Sequence, residues 1–151
     1  MVPSPTSNHQ SVVRNILLLL WEYVKKNNLG KVFDAPLDVI FTQTDVVQPD
    51  ILYISNSRRS IIEERGIIGP PDLVVEVISP STRYMDANLK KSLYERHGVR
   101  EYLLVYPQEQ KVIQYALEEG FFKSKGTFSD PDKIPLKILE LELALEDVFD
   151  V

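Results

Sequence analysis

Apolar residues recur at helical spacing near the start of the chain and predict a first helix over residues 8–28. The repeating apolar positions include Val12, Val13, Ile16, Leu17, Leu19, Leu20 and Val24. Ser7 and Gln10 fit a capping box at the start of this helix. Its apolar surface is wide, which predicts that the helix packs on more than one side.

Short apolar runs replace the helical spacing after this helix. Residues 32–41 and 46–54 are predicted to be two strands of a hairpin around the polar turn TQTD. Residues 57–66 follow as a loop or a short helix. Residues 72–79 are apolar on both faces, which is typical of a buried strand, and Pro80 ends the run.

A second helix is predicted over residues 85–97, with Asp86 as its N-cap and Gly98 just past its end. A strand at 101–107 comes next, followed by a hairpin and by an outer strand or amphipathic tail at 136–149. The passage from 72 to 106 is a strand, a helix and a strand, which implies one parallel crossover. The sequence therefore predicts an α/β fold with a mixed sheet core flanked by helices and with added C-terminal strands.

Length and composition narrow the class of protein. The chain has 151 residues, 44% of them hydrophobic and 26% charged, which fits one globular domain over residues 1–151. It has no cysteine, so disulfides, thiolate metal sites and cysteine nucleophiles are excluded. No signal peptide or membrane span is visible, and we expect a cytoplasmic protein. No Gly-rich turn follows a strand, which excludes a dinucleotide-binding fold.

Charge is unevenly distributed along the chain. The formal net charge is −5, and the acidic excess lies mainly in residues 101–151, whereas residues 51–100 are slightly basic. The chain lacks the overall basic character usual in nucleic-acid-binding domains. A polyanion would therefore have to dock on a local basic surface.

Glu76 is the first candidate for chemistry because it interrupts the buried strand. A carboxylate there loses its hydration, which costs several kcal/mol unless a partner compensates. Asp72 points to the same face of the strand, but about 13 Å away at ~3.3 Å per residue. Glu76 therefore needs partners from other elements, and a structural ion pair is the alternative to a functional role.

Two such partners are predicted from neighbouring elements. Asp50 follows Pro49 in an apolar strand, and proline in a sheet usually marks an edge or a bulge. Two carboxylates from adjacent strands suit a hard cation such as Mg²⁺ or Mn²⁺. On the second helix, Leu89 and Leu93 are expected to face the sheet, and Lys90 lies at the border of that face.

Four segments, taken in order, resemble a bacterial family described as "putative restriction endonuclease", within the restriction-endonuclease-like superfamily named for its PD-(D/E)xK motif. The segments are VVQPDILYI, PPDLVVEVISPST, MDANLKK and YERHGVREYLLVYP. The resemblance covers nearly the whole chain, and the block PDLVVEVISPST is its most specific element. It implies the nuclease fold of that superfamily.

The resemblance also implies roles for individual residues. Asp50 matches the motif aspartate, Glu76 matches the second acidic metal ligand, and the carbonyl of Val77 would complete the ligand set. The superfamily lysine would stand at position 78, which is isoleucine in this chain. Lys90 on the following helix matches the displaced lysine, and His9 matches a histidine common in the family.

The activity that the resemblance implies is hydrolysis of phosphodiester bonds, with DNA as the expected substrate, by a water activated by Mg²⁺, with Mn²⁺ as a substitute. Lys90 would stabilise charge developing on the phosphate. Two alternatives stay open at this point: a non-catalytic binding or regulatory module that keeps the fold, and a homodimer built through the first helix. Substrate sequence is not encoded in any visible recognition element.

Other polar residues have simpler interpretations. Asp72 is a strand-start residue or a support for the site, and Tyr94 is expected to serve packing. His97 is expected to act as a charge partner at the C-terminal end of its helix. Arg58, Arg59 and Arg83 lie in loops, where they either contact phosphates or are simply solvated.

Overall fold

A computed structural model of the chain describes residues 5–79 and 84–151. Its α-helices are α1 (Ser7–Lys26), α2 (Tyr84–His97) and α3 (Leu145–Val148). Its strands are β1 (Gly30–Asp34), β2 (Val39–Ile40), β3 (Val46–Val47), β4 (Ile51–Ser55), β5 (Ile62–Glu63), β6 (Gly66–Ile68), β7 (Leu73–Val77), β8 (Glu101–Tyr106), β9 (Lys111–Glu118), β10 (Phe121–Ser129), β11 (Lys133–Leu136) and β12 (Leu141–Ala144). A short 3₁₀ helix, Asn56–Ile61, lies between β4 and β5.

The central sheet has six strands in the order β1-β4-β7-β8-β9-β10. Strands β7 and β8 are parallel, and every other neighbouring pair in this sheet is antiparallel. A parallel pair needs a crossover, and α2 lies between β7 and β8 in the chain. The predicted mixed α/β sheet is confirmed, and the predicted parallel crossover is present in it between β7 and β8.

The two faces of β7 belong to different parts of the core, as the period of two in a strand requires. Leu73, Val75 and Val77 pack in a cluster with the apolar face of α1. Val74 packs on the other side with Tyr94 of α2. The central strand is thus covered on both faces, which explains its nearly uninterrupted apolar sequence.

The C-terminal elements complete the core on the α1 side. Strands β11 and β12 form an antiparallel hairpin, and α3 follows directly. Ile134, Leu143, Leu145 and Val148 are buried in the same cluster as the apolar residues of α1. The first helix therefore packs on two sides, as its wide apolar surface predicts. The C-terminal residues are part of the core rather than an outer tail.

The predicted hairpin of residues 32–41 and 46–54 is only partly correct. Strands β1 and β4 do pair in antiparallel fashion, but the chain between them leaves the central sheet. There β2 and β3 join β5 and β6 in a second sheet, ordered β3-β2-β6-β5. The parallel pairing of Val39 and Ile40 with Ile67 and Ile68 creates this sheet. Such a long-range contact leaves no local signal in the sequence.

Strand β4 also lies inside the sheet, between β1 and β7, and not at an edge. Pro49 and Asp50 stand immediately before its first residue, where a missing N–H breaks no ladder. The expectation of an edge or a bulge from Pro49 was therefore wrong.

Both predicted N-caps are displaced. The cap of α1 is Thr6 rather than Ser7, and its hydroxyl oxygen accepts the backbone N–H of His9 at 3.1 Å. Asp86 falls inside α2, which already includes Tyr84. The cap depends on where the chain enters the helix, and a stretch with several hydroxyl residues permits more than one start.

The orientation of α2 also differs from the prediction. Leu89 is 67% exposed, whereas Ala87 and Tyr94 are buried against the sheet. The helix is thus rotated so that the side carrying Tyr94 faces inward and Leu89 faces solvent. Within the described part of the chain, no helix is long and apolar enough to cross a membrane.

Candidate active site

The candidate site lies where β4 begins and β7 ends. The register pairs Ile51 with Val75, so the next residues outward, Asp50 and Glu76, face each other across the two strands. Oδ2 of Asp50 accepts the backbone N–H of Val77 at 2.8 Å. The backbone N–H of Asp50 points to Oε1 of Glu76 at 3.4 Å. The side chain of Asp50 thereby accepts a hydrogen bond that a backbone carbonyl would accept in a continued β-ladder.

Glu76 is almost completely buried, with 4% of its surface exposed. Its second oxygen, Oε2, accepts the hydroxyl proton of Tyr94 at 2.5 Å. The ammonium of Lys90 lies 3.4 Å from the same oxygen. Lys90 and Tyr94 are four residues apart on α2 and therefore lie on one face of the helix. The inward rotation of α2 brings both groups to the carboxylate.

Burial raises the pKa of Glu76 from 4.5 to about 7. Lys90 lowers this pKa, while the nearby charge of Asp50 raises it and the Tyr94 hydroxyl lowers it. Burial also raises the pKa of Tyr94 well above 10, as does the charge of Glu76. The Tyr94 proton therefore stays on its oxygen near neutral pH, and Glu76 is the group of this pair that titrates there.

His9 closes the site from the α1 side. Its Nε2 lies 2.8 Å from the carbonyl oxygen of Val77 and 3.8 Å from Oδ2 of Asp50. A carbonyl only accepts, so Nε2 carries a proton in this bond. The Nδ1 atom is buried without a hydrogen-bond partner among the described residues. The hydrogen bond from His9 N–H to Thr6 holds the first turn that presents this imidazole.

The structure thus brings together the five residues that the sequence and the family resemblance single out: His9, Asp50, Glu76, Val77 and Lys90. They come from α1, the start of β4, the end of β7 and α2. The oxygen atoms among them, two carboxylates and a carbonyl, have the chemistry that Mg²⁺ and Mn²⁺ prefer. In residues 5–79 and 84–151, no three His, Cys, Asp or Glu side chains are grouped closely enough to bind a metal unaided. A cation here would need the Val77 carbonyl, water or substrate as further ligands.

Tyr94 is the site residue that the sequence analysis assigned to packing alone. The tyrosine is fully buried, but its hydroxyl is bound to Glu76. The sequence does contain a signal for this role: Tyr94 is four residues after Lys90. Residues at that spacing lie on the same face of a helix, so a helix that brings Lys90 to Glu76 also brings Tyr94 there.

Asp72 lies at the opposite end of β7 and does not join the site. It is fully buried, and its Oδ2 accepts the backbone N–H of Ser55 at 2.7 Å. Arg58 and Arg100 lie 3.7 and 3.6 Å from its two oxygens. Arg58 is therefore engaged with a buried carboxylate rather than merely solvated in a loop.

The remaining sequence candidates lie elsewhere. His97 lies 3.1 Å from the carboxylate of Asp45 and stacks on Phe41 with ring centres 4.6 Å apart. Its imidazole is thus a hydrogen-bond partner for the carboxylate of a loop residue. Arg59 bonds to the side chain of Asn56. Arg83 lies outside the described residues.

The comparisons with known proteins bear on this geometry. The family model described as "Putative restriction endonuclease" matches residues 1–146. The chain belongs to this family. A search of curated proteins returns no match.

A solved structure is similar to this member of the "putative restriction endonuclease" family over almost its whole length. It is a crystal structure described as "a putative nuclease" from Anabaena variabilis, 23% identical in sequence, with a TM-score of 0.79. The match covers 98% of this chain and 83% of the other. The predicted fold, a large mixed sheet flanked by helices like that of a nuclease, is therefore confirmed.

Proposed function

We propose that this protein is a metal-dependent nuclease that hydrolyses phosphodiester bonds, with DNA as its substrate. The observation that carries the proposal is the convergence of Asp50, Glu76 and Lys90 at the end of β7. Two carboxylates and a lysine at one point are the groups that this hydrolysis needs. Membership of the "putative restriction endonuclease" family supports the same class of reaction.

Asp50, Glu76 and the Val77 carbonyl would hold the ion, which is Mg²⁺ or Mn²⁺ in this proposal. When bound, it would supply Lewis-acid polarisation of the phosphate and a lowered pKa for water. Burial makes the charged form of Glu76 unfavourable, and its raised pKa reflects this cost. A bound cation would offset that cost. A carboxylate kept in such a position at a cost to stability is typical of a functional site.

Each protein group has a distinct task in this proposal. Tyr94 fixes the orientation of Glu76 by donating to Oε2, which leaves Oε1 near Asp50. Lys90 places its ammonium beside the carboxylate, where it would neutralise negative charge on the phosphate oxygens. His9 orients the Val77 carbonyl by its hydrogen bond and brings a second polar group near Asp50.

A non-catalytic binding module is the second function considered, and it rests on the isoleucine at position 78. That hypothesis expects a Lys90 side chain turned to solvent. The Lys90 side chain is instead 27% exposed and lies 3.4 Å from Glu76, which favours the nuclease. A lysine supplied by α2 can reach the carboxylate as well as one supplied by the strand.

The test is Mn²⁺ binding followed by cleavage. Crystals soaked in Mn²⁺ should show an anomalous peak beside Asp50, Glu76 and the Val77 carbonyl, and calorimetry should give one site. Glu76→Gln should remove that site and lower cleavage of DNA by at least about a thousandfold, as expected for loss of the group that holds the ion.

Glu101→Gln is the matched control for this experiment. Glu101 is also 4% exposed and lies on β8, but it is held by Gln114 and by the backbone N–H of Ile138 rather than by the site. This variant should keep Mn²⁺ binding and cleavage. Mn²⁺ binding that survives Glu76→Gln, or the absence of any Mn²⁺ site, would overturn the proposal.

A further inference from the structure

A groove of about 330 Å³ lies at the C-terminal end of α1, beside the edge strand β1. Its walls are formed by Trp21 and Lys25 of α1, by Lys31 of β1 and by Arg59 of the 3₁₀ helix, with Val24 at its base. None of the five groups takes part in the candidate active site. The mechanism proposed above therefore leaves this groove unexplained.

The groove is cationic in a protein of net charge −5. Lys25, Lys31 and Arg59 all line it, and no acidic residue does so among the described residues. Across residues 5–79 and 84–151, none of these three cations lies in an ion pair. Their charges are therefore not neutralised by the protein, and the groove attracts anions against the field of the acidic C-terminal part.

An aromatic ring stands at the wall of the same groove. Trp21 is 46% exposed, and the ammonium of Lys25 lies 4.6 Å from the centre of its ring. Exposed aromatic rings among cationic side chains are the two components of sites that bind single-stranded nucleic acid, because bases stack on the ring and phosphates bind the cations. The groove has both components.

The groove and the candidate active site share one helix. His9 lies at the first turn of α1 and Trp21 lies twelve residues later, which corresponds to ~18 Å along the helix axis at ~1.5 Å per residue. This is the separation along the axis only, so a strand with about 3.4 Å per stacked nucleotide would need at least about five nucleotides to cover it. Arg14 and Leu18 lie between these two ends, on the same exposed side of the helix as Trp21.

We infer that this groove binds an unpaired nucleotide of the substrate strand, at least about five nucleotides from the bond that is cut. The inference rests on the proposed nuclease function. The base stacks against Trp21, and the adjoining phosphates bind Lys25, Lys31 and Arg59. These contacts would give a small nuclease of net negative charge a second binding site for its substrate, away from the phosphate that reacts.

A second copy of the chain is the competing occupant, because Leu18 and Trp21 are both exposed on α1. A two-fold interface would bring this surface against itself. The same three unpaired cations would then meet their own equivalents, which opposes association. Charge complementarity therefore favours a nucleic-acid strand over a homodimer.

The test uses Trp21 itself, since it is the only tryptophan in the chain. The full-length protein is titrated with a twelve-nucleotide oligo-dT and with its duplex, in EDTA so that no cleavage is required. The single strand should quench the fluorescence of Trp21 by stacking, and the duplex should bind more weakly. The slope of log K against log salt should reflect the phosphate contacts, at about 0.7 for each in a single strand.

Two charge-reversal variants with equal net charge locate the contacts. Lys25→Glu combined with Lys31→Glu and Arg59→Glu should weaken binding at least tenfold and reduce the salt slope by about 2. The control combines Lys123→Glu, Lys133→Glu and Lys137→Glu, which are exposed in the C-terminal third. The control should bind nearly as the wild type does, and circular dichroism checks that both variants are folded.

The outcomes separate this inference from the proposed nuclease function. The inference that the groove binds a nucleotide is overturned if oligo-dT leaves Trp21 fluorescence unchanged, or if both triple variants lose the same amount of affinity for oligo-dT. Either result counts against the inference even if cleavage is observed. If oligo-dT quenches Trp21 but the protein cleaves no DNA in the presence of Mn²⁺, nucleotide binding in the groove is supported and the proposed nuclease function is contradicted. Sedimentation of a dimer whose formation quenches Trp21 in the absence of DNA also overturns the inference, because the groove would then be an interface between copies.

Discussion

Glu76 of β7 and Asp72, which immediately precedes β7, are two buried carboxylates four residues apart, and their surroundings differ. Asp72 accepts a backbone N–H and lies between Arg58 and Arg100, both of which remain partly exposed. Glu76 has one lysine, one tyrosine hydroxyl and one long contact to a backbone N–H, with Asp50 adding further negative charge.

The difference lies in what each carboxylate does for the fold. Asp72 joins β7 to the end of β4, to the 3₁₀ helix and to the turn before β8, so its charge is used in structural contacts. Glu76 is placed beside another carboxylate, and its pKa of about 7 shows that the fold alone does not favour its charged form. A cation at Glu76 would supply what the arginines supply at Asp72.

Asp72→Ala should have the largest effect on stability. Removing the carboxylate leaves the Ser55 N–H without its acceptor and breaks the ion pairs with Arg58 and Arg100, whose side chains are 29% and 64% exposed. The free energy of unfolding should therefore fall by about 3 kcal/mol. Urea denaturation measures this change. The folded fraction should still bind Mn²⁺. Loss of Mn²⁺ binding with stability unchanged would reverse the roles assigned to the two carboxylates.

Although burial also raises the pKa of Glu101, the largest pH-dependent change in stability should come from Glu76. Its pKa is higher in the folded state than the ordinary value of 4.5, so the folded protein binds the extra proton between these values. Stability should therefore be highest near pH 4.5–5 and should fall as the pH rises to 8, by at most about 3 kcal/mol. Urea denaturation in EDTA at several pH values measures the fall.

Glu76→Gln isolates this contribution, because it removes one ionisable carboxyl and leaves every other ionisable group in the chain. The stability of the variant relative to wild type should improve as the pH rises from 5 to 8. If the difference in the free energy of unfolding between the two proteins does not change with pH, the folded protein stabilises the charged form of Glu76 without a cation. Glu76 would then be a structural carboxylate.

Lys90→Met should lower the rate of DNA cleavage by about a hundredfold, because the ammonium is lost while the apolar stem of the side chain is replaced. Mn²⁺ affinity should be kept, which distinguishes this effect from loss of the ion. Lys91→Met is the control, since the Lys91 ammonium lies 4.4 Å from the centre of the Tyr115 ring and not at the site. Equal losses in both variants would contradict a specific role for Lys90.

Tyr94→Phe should have the smallest effect, a loss of about 1–2 kcal/mol in the free energy of unfolding. The hydroxyl lowers the pKa of Glu76, so its removal should raise that pKa and make the loss greater at pH 8 than at pH 5. Tyr53→Phe is the control at the Asp72 end of β7, where the hydroxyl donates to the neutral carbonyl of Leu29. Its effect should be independent of pH over this range.

The sequence was informative where structure depends on local pattern. The buried strand, the two long helices and the parallel crossover follow from apolar spacing and from the breakers that bound each segment. The sequence also identifies three site residues, because each is polar within or beside an apolar run or matches a family motif: Asp50, Glu76 and Lys90. In the structure, Asp50 and Lys90 both contact Glu76.

The sequence was uninformative where tertiary contacts decide. The rotation of α2 is set by Tyr94 and Ala87 fitting against β8 and β10, and neither residue outranks Leu89 in hydrophobicity. The second sheet depends on Val39 meeting Ile67, 28 residues later in the chain. The bond from Tyr94 to Glu76 follows from the helix rotation and was therefore missed with it.

The hydrogen bond from the Val77 amide to Asp50 has a practical consequence. In a regular ladder such an amide would report only on the backbone, but here its acceptor is a side-chain oxygen of a proposed metal ligand. Any ion that recruits that oxygen would alter the electron density along the N–H bond. The backbone resonance of Val77 in a proton–nitrogen spectrum is thus a built-in indicator of events at the carboxylates, and its exchange with deuterated solvent would time the opening of the site.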